Sequence, residues 1–113
     1  MEVLAKYSVR GTVALNGEAA RYYPRVMEAM LALDWELMGH GITNSITLTG
    51  LKRDDENRVI AETRAAIEQW GRRMRGWLGP GLTESFDSID LLRANGVDYT
   101  CDWVNDDLPY RMH

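Results

Sequence analysis

The sequence predicts an α/β fold of four short parallel strands alternating with helices, one half of a (β/α) barrel. Three observations carry this. Short β-branched or aliphatic runs occur at four places, and each empties into Asn, Gly, His or Asp. Segments with apolar residues at three-and-four spacing separate these runs. The order strand–helix–strand–helix–strand–helix–strand calls for crossover connections, which make consecutive strands parallel. With 113 residues there is enough chain for one domain and one modest core, so 1–113 is read as a single unit.

Met1 to Tyr7 reads as a helix fragment, the end of something longer. Thr12-Val13-Ala14-Leu15 is the first strand, stopped by Asn16-Gly17. The first main helix follows, with Ala19, Tyr23, Val26, Met27, Met30 and Leu33 on one stripe. Pro24 within it either occupies a first helical turn, where its missing N–H costs nothing, or kinks the chain. Trp35 to Met38 is the second strand, ending in Gly39-His40-Gly41. From Ile42 to Leu51 no helical period survives, so this is a polar loop.

The second helix runs from Arg53 to Trp70 on the stripe Val59, Ile60, Thr63, Ala66, Ile67 and Trp70. Asp54, Asp55 and Glu56 suit the positive end of its dipole, and Gly71 closes it. Arg75 to Leu78 is the third strand, running into Gly79-Pro80-Gly81. A third helix spans Glu84 to Ala94, with Thr83 or Ser85 as cap and Asn95-Gly96 as stop. Val97 to Cys101 is the fourth strand, followed by the acidic, aromatic stretch Asp102 to Tyr110.

Apolar residues make up 45% and charged residues 27%, with a formal net charge of −4, the profile of a soluble domain. The basic cluster Arg72, Arg73 and Arg75 is surrounded by acids and reads as a solvated helix end, so nucleic acid is not an expected partner. No apolar run approaches the ~18 residues of a membrane span. The amino terminus lacks the charged-then-apolar pattern of a signal peptide. The single cysteine, Cys101, excludes an internal disulfide and reads as a buried thiol. A cytoplasmic protein is expected.

In a parallel sheet the strand exits share one surface, where such folds build their sites. The exits are Asn16, His40, Gly79-Pro80-Gly81 and Asp102-Trp103. His40 offers a general acid–base or a metal ligand, or else a hydrogen-bonded structural imidazole. Asn44 could assist it or a substrate, or close its own turn. If Asp102, Asp106 and Asp107 crowd together, repulsion raises one pKa and makes a base or acid; otherwise they form a solvated loop. Gly79 and Gly81 could let backbone approach a ligand and present N–H groups to an oxyanion, or form a plain turn.

These exits, in this order, resemble the polysaccharide deacetylase family. The histidine motif H-x-x-x-H is matched by His40, with Asn44 in the second position. The next motif is an aromatic, Arg and Pro-rich turn, matched by Trp77-Leu78-Gly79-Pro80-Gly81 with Leu78 in place of the arginine. The stretch Asp102 to Tyr110, ending Asp-Asp-Leu-Pro-Tyr, is similar to the branch holding metal-independent allantoinases and some peptidoglycan deacetylases. The resemblance covers the central portion of the family domain only, so 1–113 is read as a single partial domain. It implies a hydrolase that cleaves an amide or ester bond with activated water. His40, Asp102 and Asp106 would be catalytic. Asn16, Asn44, Trp77, Gly79, Gly81, Trp103 and Tyr110 would contact a small-molecule or carbohydrate substrate.

The family's paired-aspartate motif has no counterpart before Thr12, so an Asp-His-His zinc triad does not assemble within this chain. No cofactor is expected beyond weak binding of a divalent metal such as zinc. Two sheet edges and one face of a half-barrel would stay open, which predicts a homodimer or higher homo-oligomer sharing its site. The alternatives are a half-barrel fragment or assembly module with little activity, and a flavodoxin-like binding domain. The lack of a glycine-rich phosphate loop after Leu15 disfavours the last.

Overall fold

The computed structural model describes residues 2–103 and 107–112. Strands β1 (Thr12–Leu15), β2 (Glu36–Gly39), β3 (Gly76–Trp77) and β4 (Tyr99–Thr100) form one sheet in the order β1-β2-β3-β4. Every neighbouring pair is parallel, in the register Leu15↔Gly39↔Trp77↔Thr100. This is the expected α/β half-barrel. The order never reverses, whereas a flavodoxin-like sheet would set β1 between β2 and β3.

The helices are α1 (Glu2–Lys6), α2 (Gly17–Tyr22), α3 (Pro24–Ala32), α4 (Arg53–Glu68) and α5 (Ser88–Ala94), with a 3-10 turn at Pro80–Leu82. The expected first main helix is two helices. Tyr23 leaves helical geometry at φ −121°, and Pro24 takes the first position of α3, where it forfeits no hydrogen bond. α4 buries five residues of its expected stripe, Val59, Ile60, Thr63, Ala66 and Ile67, but ends at Glu68, so Trp70 follows the helix and is half-buried.

α5 starts at Ser88, four residues later than expected, and neither Thr83 nor Ser85 caps it. The Ser85 and Ser88 hydroxyls both donate to the buried carboxylate of Glu56 on α4. Ser85 Oγ also accepts the Asp87 N–H at 3.0 Å. Side-chain bonds of this kind satisfy the backbone without helix, so the segment stays a turn until Ser88.

Strand residues alternate between two faces. Leu15, Leu37 and Trp77 join Met27, Ile60 and Ile67 in the core beneath the helices. The opposite face carries Glu36, which accepts the Thr12 hydroxyl at 3.2 Å and the Tyr99 hydroxyl at 2.9 Å. Burial there pushes the Tyr99 phenol well above its ordinary pKa, and the Glu36 charge adds to the effect.

Among the described residues, no helix is long and apolar enough to cross a membrane. The basic cluster near the strand starts is paired. Arg10 and Arg72 both grip Asp34, while Arg73 and Arg75 both grip Asp98. Cys101 departs from expectation: β4 ends one residue before it, and it is exposed, with its sulfur 4.0 Å from Met38 Sδ.

Candidate functional site

The carboxyl ends of the four strands are tied together by side chains. Where backbone pairing runs out, side chains stand in for the neighbouring strand. The last ladder bonds are His40 N–H to Leu15 C=O (3.0 Å), Leu78 N–H to Gly39 C=O (2.9 Å) and Cys101 N–H to Trp77 C=O (2.9 Å). One step further, the Asn16 side-chain amide donates to the His40 carbonyl. The His40 ring bonds through Nδ1 to the Leu78 carbonyl. The Gly79 N–H donates to Asp102 Oδ1 at 2.6 Å. Asn16, His40, the Leu78–Gly79 peptide and Asp102 thus make one continuous row across β1 to β4.

The row fixes chemistry as well as position. A carbonyl only accepts, so His40 Nδ1 carries the hydrogen in this bond; in the neutral tautomer Nε2 is then the acceptor, and it meets no hydrogen-bond partner among the described residues. The half-buried ring is anchored at one nitrogen and available at the other. Asp102 is 6% exposed, and its second oxygen accepts the Thr100 hydroxyl at 3.0 Å. A buried carboxylate is tolerable only with such donors. His40 and Asp102 therefore grip the two edges of a single peptide unit.

Two glycines make room for this. Gly41 holds φ +69°, and a Cβ there would meet Pro80 Cγ at 2.6 Å, so only glycine lets the turn after His40 approach Pro80. At Gly79 a Cβ would meet the Thr83 carbonyl oxygen at 2.8 Å and Asp102 Oδ2 at 3.1 Å. Glycine at 79 makes a seat for Asp102, and its N–H is occupied there rather than offered to an oxyanion. Gly81 is exposed, in the left-handed region at φ +66°, and serves the turn.

The remaining residues singled out by sequence are scattered. Trp77 is fully buried among core residues on the helix side, where it packs rather than lines the site. Asn44 is exposed in a turn closed by the Ser45 N–H on Thr43 Oγ1 at 3.1 Å. Trp103 and Tyr110 are 44% and 49% exposed. Asp107 is exposed, and Asp106 lies outside the described residues.

The acid that crowds Asp102 is Glu84, from the turn before α5. Glu84 is pushed up to about 7, first by burial, then by the neighbouring Asp102 carboxylate; the Trp103 side chain pulls the other way. Sequence reading missed Glu84 because it stands at an expected helix start, where an acid is unremarkable. Its one signal was its place just beyond a strand exit.

A catalytic zinc needs three protein ligands. Among the described residues, no three His, Cys, Asp or Glu side chains are grouped to hold a metal ion. His40 has no second imidazole across the loop, and Asp102 is taken up by Gly79 and Thr100. Among the described residues, the donor set on this surface does not fit a zinc centre.

The polysaccharide deacetylase family model matches residues 1–100. Comparison with curated protein sequences gave no match. Among solved structures, the Puue allantoinase superimposes with a TM-score of 0.84 at 26% identity, covering 96% of this chain and 36% of that one. A putative polysaccharide deacetylase from Mycobacterium smegmatis gives 0.82 at 23% identity, over 88% of this chain and 35% of that one. A CE4 family pseudoenzyme from Bacillus anthracis gives 0.81 at 18% identity, over 88% and 35%. The chain thus spans about a third of the length of these structures. Both the motif order and the singly wound sheet are accounted for: the chain belongs to the polysaccharide deacetylase family.

Proposed function

We propose that this chain supplies the central part of a hydrolase site that cleaves an amide or ester bond with activated water. The observation that carries the reading is His40: Nδ1 is clamped to Leu78, and Nε2 has no hydrogen-bond partner among the described residues at the carboxyl end of the sheet. Nε2 takes a proton from water as it attacks the carbonyl, then returns it to the leaving nitrogen or oxygen. Asp102 holds the Leu78–Gly79 peptide that orients the ring, and Asp106 is a further candidate base. Asn44, Gly81, Trp103 and Tyr110 are candidate contacts for a small-molecule or carbohydrate substrate. Similarity to the Puue allantoinase favours a C–N bond, as in a cyclic ureide.

A second copy of the chain is the proposed partner, because the sheet order leaves β1 and β4 each with one unpaired edge among the described strands. Light scattering at low protein concentration tests this; a stable folded monomer would refute it. The exposed, unpaired Cys101 suits a reducing compartment such as the cytoplasm.

Turnover of acetylated sugars, aryl acetates and cyclic ureides tests the reaction. His40→Ala is expected to lower kcat/KM by about 10²–10⁴, the usual worth of a general acid–base, and Asp102→Asn to lower it less. Unchanged rates in both variants would sink the hydrolase reading. A wild-type chain that assembles but never exceeds the buffer rate would instead identify an assembly module.

A further inference from the structure

Both carboxylate oxygens of Glu84 are shielded from solvent, and among the described residues neither is satisfied by a hydrogen bond. The backbone that carries this side chain is held on both sides. Thr83 Oγ1 accepts the Leu48 N–H at 2.9 Å and donates to the Pro80 carbonyl at 2.7 Å. Ser85 gives its N–H to Ser88 Oγ at 2.7 Å and its hydroxyl to Glu56 at 2.6 Å. The Glu84 carbonyl accepts the Thr49 hydroxyl at 3.3 Å.

Among the described residues, the groups facing Glu84 are acidic, Asp102 from beyond β4 and Glu56 from α4, and the Trp103 side chain opposes them. Two acceptor-only carboxylates cannot bond each other, and a second, unsatisfied charge buried beside Asp102 is costly. A proton on one of them resolves both problems at once.

We propose that Glu84 and Asp102 hold one proton between them, and that this carboxyl pair seats Asp102 on the Gly79 N–H and so keeps the His40 ring oriented. Glu84 is then a positioning residue. It donates to Asp102, Asp102 accepts from Gly79 and Thr100, and the Leu78 carbonyl at the other edge of the peptide receives His40. The elevated Glu84 value near 7 agrees with this and makes the pair sensitive close to neutral pH. Above that pH the pair carries two like charges, and the Gly79 seat loosens. The effect on turnover rests on the hydrolase reading above; the shared proton does not.

The test is carbon-detected NMR of the full chain with labelled Glu and Asp carboxyls, without substrate, from pH 4 to 9. The Glu84 signal, identified by its loss in Glu84→Gln, is expected to titrate near pH 7. The Gly79 amide proton is expected to follow the same midpoint. In Glu84→Gln the side-chain amide can still donate to Asp102. There, the part of the Gly79 titration that belongs to Glu84 disappears while His40 keeps its Nδ1–H tautomer. A Glu84 midpoint at the ordinary ~4.3 of a solvated glutamate, or a Gly79 titration unchanged in Glu84→Gln, would overturn the proposal. Both decisive readings come from wild type and a near-isosteric variant, so neither depends on a chain that fails to fold. If Glu84 titrates near 7 and no substrate is turned over, the pair stands and the hydrolase reading falls.

Discussion

Replacing Gly79 with alanine tests how Asp102 is seated. The backbone at Gly79 has φ −63° and ψ 142°, which any residue adopts, so the perturbation is spatial. The added Cβ meets the Thr83 carbonyl oxygen at 2.8 Å and the two Asp102 oxygens at 3.1 and 3.4 Å. The backbone oxygen cannot step aside without opening the turn, so Asp102 must. Its 2.6 Å bond from the Gly79 N–H is then strained or lost. A hydrogen bond to a charged group is worth about 1.5–3 kcal/mol. Overpacking adds about 1–3 kcal/mol. The stiffer unfolded chain returns about 0.4–1 kcal/mol. The expected net loss is about 3 kcal/mol, read as a lower urea midpoint at constant slope. In the double mutant with Asp102→Ala the two losses should fall short of additive by more than about 1 kcal/mol, since both act on one contact. A loss below about 1 kcal/mol in Gly79→Ala would mean that Asp102 does not sit where the structure has it.

Two further outcomes follow from burial. Trp77→Ala should cost about 3–5 kcal/mol of stability in the same urea assay, the range for deleting a fully buried aromatic; a loss under about 1 kcal/mol would return Trp77 to the site surface. Cys101 is exposed, yet its thiol is pushed above the ordinary thiol range by partial burial and then by the Asp102 and Glu36 charges. Alkylation by iodoacetamide should therefore be slow at pH 7 and still be rising at pH 9; a rate that has levelled off by pH 8 would contradict this.

The four strand exits were legible because each pairs a short apolar run with a polar or glycine stop, and parallel topology sends all four to one surface. Asn16, His40, Gly79 and Asp102 came together for that reason. The face on which Trp77 falls was not legible. β3 is two residues long with glycine at one of them, so no alternation marks inside from outside. Glu84 escaped for a different reason. Its partner is 18 residues away, and only the turn held by Glu56, Ser85 and Ser88 shows that α5 has not yet begun. Hydroxyl-to-carboxylate bonds between distant segments leave no period in a sequence.

The Leu78–Gly79 peptide has a mechanical meaning. A trans peptide is a rigid plate with its oxygen and its hydrogen on opposite edges. His40 hangs from one edge and Asp102 from the other. If the plate rocks about the line joining its two Cα atoms, one edge rises as the other falls. The imidazole and the carboxylate are then loaded like the two ends of a seesaw, and a change that favours one tilts the other. Optimising either residue alone in a redesigned site should misplace its counterpart, and productive changes to this surface should come in compensating pairs.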